Sequence, residues 1–281
     1  MKLSSVRLAS TASVTTRPAK STTTSTTRPG ARPVDGFEPA ARSTKGYNLT
    51  NHGGKVLSAP QFQPIYLGDY WKSAAGAKDR AYNDAFAKDL VTGNHEALLK
   101  QYGVGAGSFS PSSVVSGKAP RTVTEADVVK LVKQQVASGA VKDGAQTVHM
   151  VLLPPGTVLK DGSDTSKQGL GGFHGSYVDD SGKSVYFGVI CYSKGSNGID
   201  FTGSARDNVT ITESHEFDEA ATDPDVQTGK LGWYNSKYGE IGDLAVNSGL
   251  VPLAQAYAKD SGGFDVQVEW SNRDGKFLPG T

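Results

Sequence analysis

The chain is short of cysteine, of net charge and of long apolar runs. Cysteine occurs once, at Cys191, among 281 residues. A single cysteine excludes an intramolecular disulfide and any zinc site built on thiolates. It sits in an apolar run with no activating neighbour and reads as a small buried residue rather than a nucleophile. The formal net charge is +1, so no long-range field marks the chain as a binder of nucleic acid or of an anionic membrane. No stretch reaches the roughly 20 apolar residues of a transmembrane segment.

What is present fits a globular protein. Hydrophobic residues make up 37% and charged residues 20% of the chain, which is ample to bury a substantial core. The 34 glycines imply many tight turns, and 11 tyrosines and 10 phenylalanines supply large core groups. Residues 1–44 stand apart. Lys20-Ser-Thr-Thr-Thr-Ser-Thr-Thr-Arg28 is low-complexity, and Pro18, Pro29 and Pro33 break any helix, so a disordered Ser/Thr/Pro-rich tail is expected. Leu8-Ala-Ser-Thr-Ala-Ser-Val14 is too polar and interrupted to be the apolar segment of a clear signal peptide.

From residue 45 to 281 strands and helices intersperse, as in one α/β domain with a mixed sheet. Short strands are expected at Val56-Leu57 and Gln61–Leu67, and an amphipathic helix over Lys78–Thr92, with Ala81, Tyr82, Ala85, Phe86 and Leu90 inward. A short helix is expected over Glu96–Tyr102, with His95 at its start, and a strand over Ser112–Ser116. Thr124 and Asp127 form a capping box that opens a helix carrying Val128, Val129, Leu131, Val132 and Val136 inward. Gln146–Leu153 reads as a buried strand holding His149 as a core histidine, and 156–170 as a polar loop. Gly172–Val178 and Ser184–Tyr192 flank Asp179-Asp-Ser-Gly182 as a hairpin, with His174 near its start, either lining a cleft or structural. Phe264–Trp270 alternates as a closing strand.

The stretch that carries chemistry is Ile211-Thr-Glu-Ser-His-Glu-Phe-Asp-Glu-Ala-Ala-Thr-Asp-Pro224. A helix capped by Asp207 or Asn208 and stopped at Asp223-Pro224 puts His215 and Glu219 one above the other, four residues apart. Glu216 then projects about 100° round the axis, within reach of a metal-bound water. This is the zinc-peptidase pattern H-E-x-x-H with glutamate in place of the second histidine. The plainer reading makes His215, Glu216, Asp218 and Glu219 the solvated face of an ordinary helix. Against it, the small and apolar Ile211, Ser214, Ala220 and Ala221 put His215 inward, where a carboxylate needs a partner. Asp243, or alternatively Glu240, supplies a third ligand from the Gly-punctuated loop that follows. Three ligands and a water leave the open position of a catalytic site. Zn2+ suits the set, and its two carboxylates also admit Mn2+ or Fe2+.

Taken in order, several segments resemble the exordium (phosphate-induced protein) family, particularly its bacterial-type members. They are His52-Gly-Gly-Lys-Val-Leu57, Pro64-Ile-Tyr-Leu67 with Trp71, Phe173-His-Gly-Ser176, Ser214-His-Glu-Phe-Asp-Glu-Ala220, Thr222-Asp-Pro224, Gly232-Trp-Tyr234, Gly239-Glu-Ile-Gly-Asp243 and Val266-Gln-Val-Glu-Trp-Ser271. The resemblance implies a zincin (metalloprotease)-like fold, His215 and Glu219 as ligands, Glu216 as base, and an extracellular setting. Some family members lack the His-Glu pair, so the fold does not guarantee catalysis. Family members also commonly carry cysteine near positions where this chain has Ala245 and Gly171 to Phe173, so no disulfide carries over.

The expectation is a zinc-dependent metallohydrolase of peptide or protein substrates, with Glu216 as base. His174, Trp233 and Tyr234 are candidates to hold the substrate. The alternative is a non-enzymatic extracellular or cell-surface exordium-like binding protein with a structural or vestigial metal site. It would use aromatics such as Tyr70, Trp71, Trp233 and Tyr234.

Overall fold

Two runs of apolar residues, each buried along nearly its whole length, form the centre of the main sheet. In the computed structural model, which describes residues 46–247 and 251–279, Gln61–Leu67 and Thr147–Leu152 pair in parallel, with Ile65 opposite Val151. The tail expected over 1–44 lies outside the described residues. Ser184–Ile190 adds in parallel to the far side of Thr147–Leu152, and Gly172–Val178 closes that edge antiparallel. Ser108–Phe109 and Ser113–Val115 extend the opposite edge in parallel. The result is a six-stranded mixed sheet, accompanied by smaller two- and three-stranded sheets. The expected hairpin is present, in the register Gly188 opposite His174.

Strand alternation sorts the side chains to two faces. Phe62, Tyr66, Met150, Leu152, Tyr186 and Ile190 pack on one side with Phe86 and Leu90 of helix Ala74–Thr92 and Val209 and Phe217 of helix Ala205–Thr222. Ile65, Val151, Phe173, Phe187 and Val189 face the other side, against Val128 and Val132 of helix Glu125–Ala137. That last helix opens on the expected capping box, with the Thr124 and Asp127 side chains each bonded to the other's backbone N–H.

Several expectations need correction. Helix Ala205–Thr222 is capped by Ser204, not by Asp207 or Asn208. Asn208 lies inside it and accepts with Oδ1 from the N–H groups of Phe201 and Thr202. The first helix begins at Ala74 under a Ser73 cap, four residues before the expected Lys78. Val56-Leu57 forms no strand; Leu57 N–H donates to Ala221 O, tying that segment to the end of the site helix. Within the expected loop 156–170, Val158–Asp161 and Asp164–Thr165 pair with Thr122–Thr124 in a small sheet. The closing strand is broken at Val268. Asp265–Gln267 pairs with Tyr257–Lys259 and Glu269–Ser271 with Lys276–Leu278, neither joining the main sheet.

Candidate metal centre

Helix Ala205–Thr222 is buried on every side from Asn208 to Thr222. Its lack of an apolar stripe is therefore not the mark of a surface helix. The sheet lies on one flank, strand Asp265–Gln267 on another, and the 232–243 loop covers the end. Polar side chains on such a helix must find partners inside the protein. The solvated-face reading of His215, Glu216, Asp218 and Glu219 is excluded, because none of the four is exposed.

His215 Nε2 lies 3.1 Å from Glu219 Oε1, as the four-residue spacing requires. Its other nitrogen, Nδ1, meets Gln267 Oε1 at 3.0 Å. The Gln267 amide is oriented by two acceptors, since its Nε2 donates to Gly242 O at 2.7 Å and to Glu269 Oε1 at 3.1 Å. An Nδ1–H donating to Gln267 Oε1 leaves Nε2 as the nitrogen that faces Glu219. This is the outer-shell arrangement that fixes a metal-ligating imidazole. Gly242 makes room for the ring: a Cβ there would stand 2.4 Å from His215 Nδ1.

The loop supplies both candidate carboxylates, but to different partners. Asp243 joins His215 and Glu219, and its N–H donates to Glu219 Oε1 at 3.2 Å. Glu240 instead lies against His174, with Oε1 3.4 Å from Nε2. His174 reaches the helix because its strand register places it opposite Gly188, on the sheet face that the helix covers. Its Nδ1 stands 3.4 Å from Glu219 Oε2 and 3.5 Å from Glu216 Oε2. Two groups of donor atoms thus converge, His215 with Glu219 and Asp243, and His174 with Glu216 and Glu219, each within 4.8 Å. These buried His, Glu and Asp groups could hold a metal ion. A tetrahedron with zinc bonds of about 2.0–2.2 Å has edges near 3.3–3.6 Å, close to the 3.1 Å of the His215–Glu219 pair and the 3.4 and 3.5 Å of His174 with Glu219 and Glu216.

The interior is also rich in negative charge. Seven carboxyl side chains are fully buried, Glu213, Glu216, Asp218, Glu219, Asp223, Glu240 and Glu269, and among the described residues no lysine or arginine is buried with them. Buried carboxylates otherwise demand a cationic partner. Burial alone would push both imidazoles down, yet Glu240, Glu216 and Glu219 around His174, and chiefly Glu219 around His215, hold them well above the usual range. Burial raises Glu240 to about 8 against the pull of His174, and raises Asp223 to about 6. Burial would raise Glu219 as well, but the two histidines lower it to about 2. Glu216 is raised, chiefly by burial.

The remaining sequence candidates fall elsewhere. His95 is a buried partner of Asp218, at 2.6 Å on the far side of the site helix, and not merely a helix-start residue. His149 bonds Asp143 at 3.2 Å. Cys191 is buried, and burial pushes its thiol up to about 12. Trp71 is core, at 2% exposure, so it offers no binding platform. Trp233 and Tyr234 form a two-residue strand with Thr50–Asn51; the Trp233 indole N–H donates to Tyr102 O. His174 is wholly enclosed among the carboxylates rather than lining an open cleft. Gln267 was missed, because a glutamine in an alternating strand carries no motif. In comparison with known proteins, no family model matches the chain, and no curated protein and no solved structure matches it.

Proposed function

We propose that the protein is a divalent-metal-dependent hydrolase, with zinc as the leading ion and peptides as the substrate class. The convergence of His215 Nε2, Glu219 Oε1 and Asp243 carries this reading, with His215 oriented by Gln267. The fit is supported by the buried His215 Nε2, which has no hydrogen-bond partner of good geometry. A zinc ion held there would supply Lewis acidity and lower the pKa of a water. Glu216, next along the helix, then accepts the proton of the attacking water, and its raised affinity for protons suits a general base. Gln267 holds His215 in one tautomer, and the enclosing sheet and loop keep bulk water away. The exordium-family resemblance, the zincin-like fold and the extracellular setting belong to the same proposal.

One observation favours a second reading. Four of the five converging residues are fully buried, and Asp243 is 7% exposed. A closed centre suits a structural or vestigial ion in a non-enzymatic binding protein.

Elemental analysis of protein prepared with metal present tests the first reading. At least one equivalent is expected, and His215→Ala should reduce it by one. Metal-free wild-type protein would remove the proposal. Glu216→Gln should keep the ion at His215 while abolishing hydrolysis of a peptide library. Bound metal without hydrolysis in the wild type would select the structural reading.

A further inference from the structure

Glu219 belongs to both groups of donor atoms. Its Oε1 faces His215 Nε2 at 3.1 Å and its Oε2 faces His174 Nδ1 at 3.4 Å. A carboxylate that turns opposite oxygens to two sets of ligands is the element that bridges paired ions in two-metal sites. The second set repeats the design of the first. His174 presents Nδ1 to Glu216 and Glu219 while its Nε2 faces Glu240, as His215 presents Nε2 while its Nδ1 faces Gln267. Carboxylate–histidine–metal triads are built in this way, the outer carboxylate fixing the tautomer of the ligand.

Two further observations point to a cation site. Both ring nitrogens of His174 and both carboxyl oxygens of Glu240 are fully enclosed without a hydrogen bond of good geometry. Polar atoms so placed are rare in native interiors unless a ligand completes them. Charge points the same way: Glu216, Glu219, Glu240 and Asp243 carry up to four negative charges as carboxylates, a load that two dications would offset.

We propose that the chain binds a second divalent cation through His174, Glu216 and Glu219, with Glu219 bridging the two ions and Glu240 orienting His174. This rests on the reading of His215, Glu219 and Asp243 as a metal centre. It gives Glu216 a second task, holding an ion with one oxygen while the other takes the proton. Two carboxylates and one imidazole form an oxygen-rich set, which suits Mn2+ or Fe2+ as well as Zn2+.

Manganese loading tests it without depending on activity. Full-length protein is saturated with Mn2+, desalted, and examined for metal content and by low-temperature electron paramagnetic resonance. Ions in two-metal sites sit about 3.5–4 Å apart, close enough for their spins to couple. The expected result is two Mn2+ per chain with an exchange-coupled spectrum. His174→Ala should fall to one Mn2+ with an uncoupled spectrum, and Glu219→Gln should lose both. One uncoupled Mn2+ per wild-type chain overturns the second site and leaves the first standing; none overturns both. Two ions retained in His174→Ala also overturn it. Should that variant fail to fold, the wild-type count and coupling decide.

Discussion

Gln267 shows how much of the site depends on a residue that touches no reacting atom. Its amide oxygen holds His215 Nδ1 while its nitrogen is spent on Gly242 O and Glu269 Oε1. Its backbone N–H donates to Ser214 Oγ, so strand and helix are locked at the position where the imidazole must point. Gln267→Leu keeps the volume and removes the acceptor. It should weaken metal binding by about 10–100-fold, read by competition with a chromophoric chelator; unchanged affinity would show that His215 needs no orienting partner. The residue was invisible in the sequence because its meaning lies in a contact with a helix 52 positions earlier. His215, Glu216 and Glu219 were legible, because a helix repeats its faces at a spacing that sequence displays directly. His174 was half legible. Its strand was clear, but only the pairing with Gly188 decides which face it takes.

At the scale of elements, the site helix is held to helix Ala74–Thr92 by a polar clamp at its outer end. Asp79 accepts from Arg206 Nε at 2.6 Å, from Tyr70 OH at 2.5 Å and from Tyr192 OH at 2.8 Å. Burial would raise its carboxyl, but these three partners hold it below the usual carboxylate range. A carboxylate lowered in the folded state adds stability that is complete above its unfolded pKa, about 3.9, and fades as pH falls through the folded value. Asp79→Asn should therefore be less stable than wild type near neutrality, with the difference closing below about pH 3.9. Denaturant midpoints against pH measure it, and parallel curves would contradict the clamp. Elements announced by local chemistry were legible: the capping box at Thr124, the hairpin around Asp179–Gly182, the buried strand at Thr147–Leu152. Those that depend on distant partners were not. Val158–Asp161 is short and half polar, and becomes a strand by pairing with Thr122–Thr124. Phe264–Trp270 alternates like one strand, yet Val268 N–H turns to Ala256 O and its two halves serve different sheets.

For the whole molecule, the acid-rich interior gives a bound cation a direct route to stability. Among the fully buried carboxyls, Glu216, Glu219, Glu240 and Asp218 have histidines as their cationic neighbours. Removing bound metal with a chelator should lower the thermal midpoint, and restoring zinc should recover it. A ligand that binds the folded chain alone stabilises it by about 2.7 kcal/mol at 100 times its Kd. Identical midpoints with and without metal would mean that the imidazolium–carboxylate contacts suffice by themselves.

The contributing residues come from widely spaced parts of the chain: His174 on an edge strand, His215 and Glu219 on the central helix, Asp243 beyond a glycine-rich turn. An ion bound to all of them closes long loops, as a disulfide does, in a chain whose single cysteine can close none. Unlike a disulfide, such a cross-link needs no thiol oxidation and opens when the ion is withdrawn. The lifetime of the folded protein would then follow the local supply of metal, and scarcity would expose the chain to proteolysis.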